Sequence, residues 1–288
     1  MQNHGTKPKK LLNKPKKRKR YRLKAGAKKR NLILAGISVF LILIAWLVLG
    51  RGYEYTGLED PEDYPLSGLD MNCVFRNDDG FRVYNDGKVK GIPGIDVSEY
   101  QKSIDWEKVK KAGAQFAIIR LGYSSASDGS LHLDSRYEEN IKGALDAGIK
   151  VGVYFFSQAI TTEEAVKEAE FVAKNLRGCD ITGPVAFDME PVGEGDRIEV
   201  LTAEDKTEIA DAFCRAVESF GYSSMIYGNP SWISNHLNLS YLTDHSIWLA
   251  HYTWATDYPY KFVMWQYSSE GKVDGIEGNV DLNMYFRE

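Results

Sequence analysis

Residues 116–164 read FAIIRLGYSSASDGSLHLDSRYEENIKGALDAGIKVGVYFFSQAITTEE, and this stretch decides the fold class. Phe116–Leu121 is a short apolar run, the pattern of a strand buried on both faces. Arg136–Ala147 has a helical pattern and ends at Gly148, the residue type that stops a helix by adopting the left-handed conformation. Lys150–Phe156 is a second apolar strand, and Thr161-Thr-Glu-Glu164 has the form of a capping box that opens another helix. Strand–helix alternation with near-continuous apolar strands predicts a parallel sheet covered by helices.

The alternation continues in both directions. Upstream, Ile95-Asp-Val is followed by the helical Asp105–Ala112, which ends at Gly113. Downstream, Pro184–Phe187 leads to Thr202–Phe220, stopped by Gly221, and Tyr222–Tyr227 leads to a short helix near Ser231–Leu237. Ile247–Tyr252, Phe262–Tyr267 and Val280–Met284 then follow with no room for full helices between them. Eight strands within residues 91–288 predict a closed, TIM-like β/α barrel whose last helices are missing. The rival is an open doubly wound sheet, which announces a nucleotide site by a glycine-rich first turn. The first turn here, Gly94-Ile-Asp-Val-Ser-Glu-Tyr, has no such fingerprint.

Before the barrel the chain changes character. Residues 1–30 hold 14 Lys/Arg and no acid, leaving 22 basic against 40 acidic side chains in residues 31–288, a formal charge of −18. Nucleic acid is therefore not the expected partner of the body, since phosphate binding draws on cationic surface. Leu32–Leu49 (LILAGISVFLILIAWLVL) is uncharged and apolar, about 27 Å long as a helix and close to bilayer thickness. A signal peptide has a shorter apolar region, and no small-residue cleavage site directly follows. The expected plan is a disordered cytoplasmic tail at 1–30, a transmembrane anchor at 31–50, and the body outside a bacterial cell membrane as a single-pass protein. Residues 51–90 are polar and turn-rich and read as a stalk, with a short hairpin around Asn85-Asp-Gly as the alternative. Cys73, Cys179 and Cys214 are too few and scattered for a disulfide framework and show no Cys-x-x-Cys spacing.

In a β/α barrel, functional groups gather at the C-terminal ends of the strands. Four acids fall at strand ends there: Asp96 on the first, Asp188 and Glu190 on the fourth, and Asp281 on the last. Closure makes first and last strands neighbours, which places Asp96 beside Asp281. Asp188 and Glu190 stand i, i+2 and point the same way, while Met189 points oppositely. Acids crowded at one mouth raise one another's pKa, which supplies the protonated acid that glycoside hydrolysis requires. The five histidines show no paired spacing, so no metal and no cofactor is expected, and no Gly-x-Ser-x-Gly marks a serine nucleophile. Aromatic residues make up 12% of the chain and many lie on strands, where they suit either core packing or the apolar faces of sugar rings. Tyr154 and Tyr227, on the third and fifth strands, are the better candidates for a groove.

These residues resemble glycoside hydrolase family 25, the Chalaropsis-type lysozymes. The resemblance runs from about Gly94 to Phe286. It rests on Gly94-Ile-Asp-Val-Ser-Glu-Tyr-Gln, Phe116-Ala-Ile-Ile-Arg-Leu-Gly-Tyr, Gly152-Val-Tyr-Phe-Phe-Ser, Phe187-Asp-Met-Glu, Ile226-Tyr-Gly-Asn, Trp265-Gln-Tyr-Ser-Ser and Gly278-Asn-Val-Asp-Leu-Asn, in that order. It implies five β/α units plus three further strands, and hydrolysis of the β-1,4 bond between N-acetylmuramic acid and N-acetylglucosamine in peptidoglycan glycan strands. Carried onto this chain, Glu190 looks like the general acid, with Asp188, Asp96 and Asp281 completing the acidic site. Tyr154, Tyr227, Trp265 and Gln266 are the expected substrate contacts. The chain departs from the family at Tyr154-Phe155-Phe156, where histidine is frequent. A chitinase-like or endo-N-acetylglucosaminidase activity is the enzymatic alternative, but the longer Asp-x-x-Asp-x-Asp-x-Glu series is absent. An inactive wall-binding module is the non-enzymatic one.

Overall fold

The computed structural model describes residues 64–288. The tail expected at 1–30, the anchor at 31–50 and the first part of the 51–90 segment lie outside the described residues. Among the described residues no helix is long and apolar enough to cross a membrane.

The chain enters through a hairpin of β1 (Val74–Arg76) and β2 (Arg82–Asn85), and then reaches β3 (Lys90–Val97). The β/α units follow: α1 (Trp106–Lys111), β4 (Phe116–Ser124) with its short antiparallel partner β5 (Leu131–Leu133), α2 (Tyr137–Asp146), β6 (Lys150–Phe156) and α3 (Thr162–Asn175). After them come β7 (Val185–Asp188), α4 (Ala203–Ser219), β8 (Ser224–Gly228) and α5 (Pro230–His236). The strands β9 (Ser246–Ala250), β10 (Met264–Gly271) and β11 (Val280–Arg287) complete the sheet. Five β/α units and three further strands are thus present, as the sequence pattern predicts.

Strands β3, β4, β6, β7, β8, β9 and β10 lie side by side in parallel, and β11 closes the barrel between β10 and β3. A wholly parallel sheet is not found, because β11 runs antiparallel to both neighbours. The cause is chain length. Residues 272–279 suffice for an antiparallel return, whereas a parallel crossover needs a dozen residues or more.

Helix ends follow local chemistry. Gly113, Gly148 and Gly221 sit at φ of 103°, 69° and 88° just beyond α1, α2 and α4, a region other residues enter only with strain. At α3 the Thr161 hydroxyl accepts from the Glu164 amide at 3.2 Å, and the Glu164 carboxylate accepts from the Ile160 amide at 2.9 Å, one residue before the cap.

Alternation along each strand divides the apolar residues in two. Ile118, Ala186, Met225, Trp248 and Met264 fill the barrel interior, while Ile119, Phe187, Ile226, Leu249 and Trp265 pack in the larger outer layer. Five helices cover that layer over much of the barrel, but none follows β9 to β11. Residues 64–90 cover part of the gap. Tyr64, Val74, Phe81 and Tyr84 are buried in the same core, and Tyr84 meets Phe286 edge-on at 5.4 Å. Strands β2 and β3 form the hairpin over the Asn85-Asp-Gly turn. The described part of the 51–90 segment is therefore integral to the domain, in contrast to a free stalk.

Candidate active site

The Ala186 side chain faces the barrel interior. Asp188, two residues on at the end of β7, stays on that side, and Glu190 follows two residues later just beyond the strand. Met189 turns outward into the core. The Asp188 carbonyl accepts from the Ser157 amide at 2.7 Å, and the Glu190 carbonyl accepts from Gln158 Nε2 at 2.9 Å, so both neighbours on the β6 side hold this segment.

Asp96, near the end of β3, is the Cα partner of Asp281 on β11. Because β11 is antiparallel, its start rather than its end lies at the mouth, and Asp281 joins the other acids from the opposite chain direction. The four acids line one cleft of about 250 Å³ together with Tyr154 and Arg120.

All four carboxyls are pushed above the ordinary carboxylate range. Burial is the main cause for each. Asp281 rises to about 8, with Asp96 and Glu190 adding repulsion. Asp96 rises only to about 6, since its Oδ2 accepts from Asn283 Nδ2 at 2.7 Å and from Gln266 Nε2 at 2.8 Å, bonds that favour the charged form. Asp188 is held well above its usual range by burial, by the charges of Glu190 and Asp96, and by a hydrogen bond to Glu190. Glu190 is raised by burial and by Asp96, against the opposing effect of the Asp188 bond. Burial thus favours the neutral form of both Asp188 and Glu190, while Asp96, held by two amide donors, is the member best prepared to carry negative charge.

The expected substrate contacts divide. Tyr154 lines the cleft. The Tyr227 hydroxyl donates to Gln266 Oε1 at 3.0 Å, and Gln266, in turn, holds Asp96. Trp265 does not join them. It points to the outer layer, fully buried, with its indole N–H donating to the His251 carbonyl at 2.8 Å. Adjacent residues on a strand face opposite sides, so Gln266 and Trp265 cannot both enter the cleft.

Several further groups complete the site. Tyr252 donates to Gln266 Oε1 at 2.8 Å, and the Trp248 indole donates to Asn283 Oδ1 at 2.8 Å. Arg120 is clamped by Asp134 at 2.8 Å and Glu99 at 3.1 Å, with its guanidinium over the Tyr100 ring at 5.0 Å. Asn283 carries a usable sequence signal, standing i+2 from Asp281. Arg120 carries none beyond being a charge within an apolar strand.

Four carboxyls at one end of a closed barrel, all biased by burial toward the neutral form, make a site built for acid chemistry on a neutral polar bond. The signature of glycosyl hydrolases family 25 matches residues 95–276, which include Asp96, Asp188 and Glu190. The chain belongs to glycosyl hydrolases family 25. It is accordingly a glycoside hydrolase. Lysozyme M1 of Streptomyces globisporus is 30% identical over 215 residues, covering 71% of each chain. The modular autolysin LytC of Streptococcus pneumoniae, solved with a synthetic peptidoglycan ligand, is similar at TM-score 0.62 and 25% identity. That match covers 77% of this chain and 52% of LytC, so this family 25 chain spans about half of the autolysin's length. A bacterial lysozyme from Streptomyces coelicolor is similar at TM-score 0.53 and 26% identity, over 68% of this chain and 92% of that one.

Proposed function

We propose that this family 25 hydrolase is a muramidase that cleaves the β-1,4 bond between N-acetylmuramic acid and N-acetylglucosamine in peptidoglycan. The observation that carries the reading is the Asp188–Glu190 pair, enclosed at the mouth in one cleft with Asp96 and Asp281 and biased by burial toward the neutral form. Lysozymes among the relatives support the choice of glycan.

Cleavage passes through an oxocarbenium-like transition state, which requires a neutral acid at the leaving oxygen and negative charge near the ring. Glu190 is the proton donor. It lies beyond the strand end and is less enclosed than Asp188, so an incoming glycosidic oxygen meets it first. Asp188 passes its proton to Glu190 as Glu190 donates to the leaving oxygen, and then faces the sugar as a carboxylate. Asp96, fixed by Asn283 and Gln266, and Asp281 supply the remaining negative potential. Tyr154 lines the cleft, and Tyr252 stands beside it through its bond to Gln266.

Mass spectrometry of products from purified peptidoglycan tests the reading. Reducing-end muramic acid is expected. Reducing-end glucosamine would assign the chain to the glucosaminidases instead.

The same reading includes a single-pass membrane anchor at 31–50 with the domain outside the cell. The apolar run Leu32–Leu49 and the 14 basic residues before it support this. Protease added to intact protoplasts is expected to remove the domain, and a protected domain would refute the topology.

A further inference from the structure

Arg76 and Arg82 are direct partners across the β1–β2 hairpin, a placement in which like charges repel. Among the described residues no carboxylate comes within ion-pair distance of either guanidinium, although Asp79 and Glu270 line the same groove. Arg82 is fixed between two rings, 4.9 Å from the Trp254 centroid and 4.8 Å from that of Tyr267, and one of its amino groups donates to the Thr253 carbonyl. Its Nε is shielded from solvent and has no partner. Arg76 is exposed, lies 6.0 Å from the Trp254 centroid and donates to the Gly80 carbonyl at 2.5 Å. The groove they border measures about 380 Å³, and Lys272 adds a third cation to its wall.

In a body of formal charge −18, this cationic groove is a local exception. It also lies next to the cleft. Trp254 follows Tyr252 by two residues across a bend, at most roughly 7 Å along the chain, and Tyr252 bonds the Gln266 that holds Asp96. Planar guanidinium forks match carboxylates, and stacking on rings fixes the plane before a ligand arrives.

We propose that Arg76 and Arg82 form a subsite for a carboxylate of the peptide borne by the muramyl sugar. This rests on the muramidase reading. In peptidoglycan the sugars near the scissile bond are uncharged, and the peptide that branches from muramic acid carries the free carboxylates. An extended peptide gains about 3.3 Å per residue, enough to reach the groove from the cleft within a few residues. The hairpin precedes the family-matched segment, and the groove joins it to residues 267–273 of that segment.

The test compares full-length protein on glycan strands with their peptides intact and on the same strands whose peptide carboxylates have been converted to carboxamides. Reducing ends report kcat and KM. Wild type is expected to show a KM about fivefold lower on intact strands, as one charge-assisted contact provides. Arg76→Gln and Arg82→Gln are expected to bring that ratio to near one, and Arg76→Lys to preserve most of it. Equal KM on both substrates in wild type, or an unchanged ratio in Arg76→Gln, would overturn the subsite. Tryptophan fluorescence with the free tripeptide Ala-γ-Glu-Lys gives a readout without hydrolysis. A response that Arg76→Gln abolishes, and that the peptide's carboxamide form fails to elicit, supports the subsite even where no strand is cleaved. Absence of new reducing ends from either substrate would strike the muramidase reading, a different result.

Discussion

Asp96 and Asp281 stand opposite each other in register across the antiparallel seam that closes the barrel, with Asn283 bonded to Asp96 from the same strand as Asp281. Closure of the fold and assembly of the acidic site are therefore one event. A slip of one residue along β11 would turn Asp281 and Asn283 outward together and leave Asp96 without one of its two donors.

That crowding has a consequence for stability. Unfolded carboxyls titrate near pH 4, whereas Asp96 holds its proton to about 6, Glu168 to about 7 and Asp281 to about 8. From about pH 4 to about pH 8 these carboxyls bind more protons in the native than in the unfolded state, so their contribution to stability falls as pH rises, opposed in part below about pH 6.5 by His236 and His251, whose burial lowers their pKa. Carboxyls with depressed values, such as Asp128 at about 2, act in the opposite sense but only below that window. Urea midpoints are expected to be higher at pH 5 than at pH 8, and Asp281→Asn is expected to flatten the upper part of the decline. A midpoint that climbs from pH 5 to pH 8 would contradict the burial assigned to these groups.

Gln266 and Trp265 separate catalysis from packing at adjacent positions. Gln266→Leu removes a donor to Asp96 and strands the hydroxyls of Tyr227 and Tyr252. Turnover is expected to fall at least about tenfold, in keeping with a lost bond to a charged group. Trp265→Phe leaves the cleft intact but removes the bond to the His251 carbonyl and packing area, so stability should drop by about 1–3 kcal/mol with turnover nearly unchanged. Kinetics paired with urea melts of the two variants decide the matter. A larger turnover loss in Trp265→Phe than in Gln266→Leu would reverse the assignment.

The same pair shows what sequence carries and what it does not. Strand–helix order, helix stops at glycine and the four acids are local or periodic properties, and all are legible in the order of residues alone. Which residue of a strand faces inward depends on the register of the whole barrel. In Trp265-Gln266 an aromatic residue draws attention as a sugar contact, yet the pleat turns it to the outer layer. The direction of β11 is hidden in the same way, since a short apolar strand reads alike in either direction. The covering role of residues 64–90 depends on helices missing elsewhere, a fact no local window contains.

That covering role predicts a boundary. A fragment of residues 91–288 contains every barrel strand but loses Tyr64, Val74, Phe81 and Tyr84 from the core. Each such side chain contributes about 1.5–3 kcal/mol when buried, and a domain's whole stability is about 5–15 kcal/mol. Residues 91–288 are therefore expected to aggregate or melt without cooperativity, while a fragment beginning at residue 55 folds. Size-exclusion chromatography and urea melts of both fragments provide the check, and a stable, cooperative 91–288 would show that the hairpin is dispensable.

The last prediction concerns the proton itself. If Glu190 delivers it to the leaving oxygen, Glu190→Gln keeps shape and hydrogen bonding but cannot donate, and general acid catalysis is worth about 10²–10⁴-fold. At least a hundredfold loss of kcat is expected with the fold intact. Asp188→Asn should behave differently. It removes a hydrogen bond that holds the Glu190 pKa down. Without that bond Glu190 keeps its proton to higher pH, so kcat is expected to fall by a comparable or smaller factor while the alkaline limb of the pH–rate profile moves upward. Folding is verified for both variants by near-ultraviolet circular dichroism, and rates are measured on purified peptidoglycan between pH 4 and pH 9. A well-folded Glu190→Gln with near-normal turnover would remove Glu190 from the donor's role. An Asp188→Asn enzyme of reduced kcat whose pH profile stays in place would show that Asp188 does not tune the Glu190 proton, while leaving Glu190 as the donor.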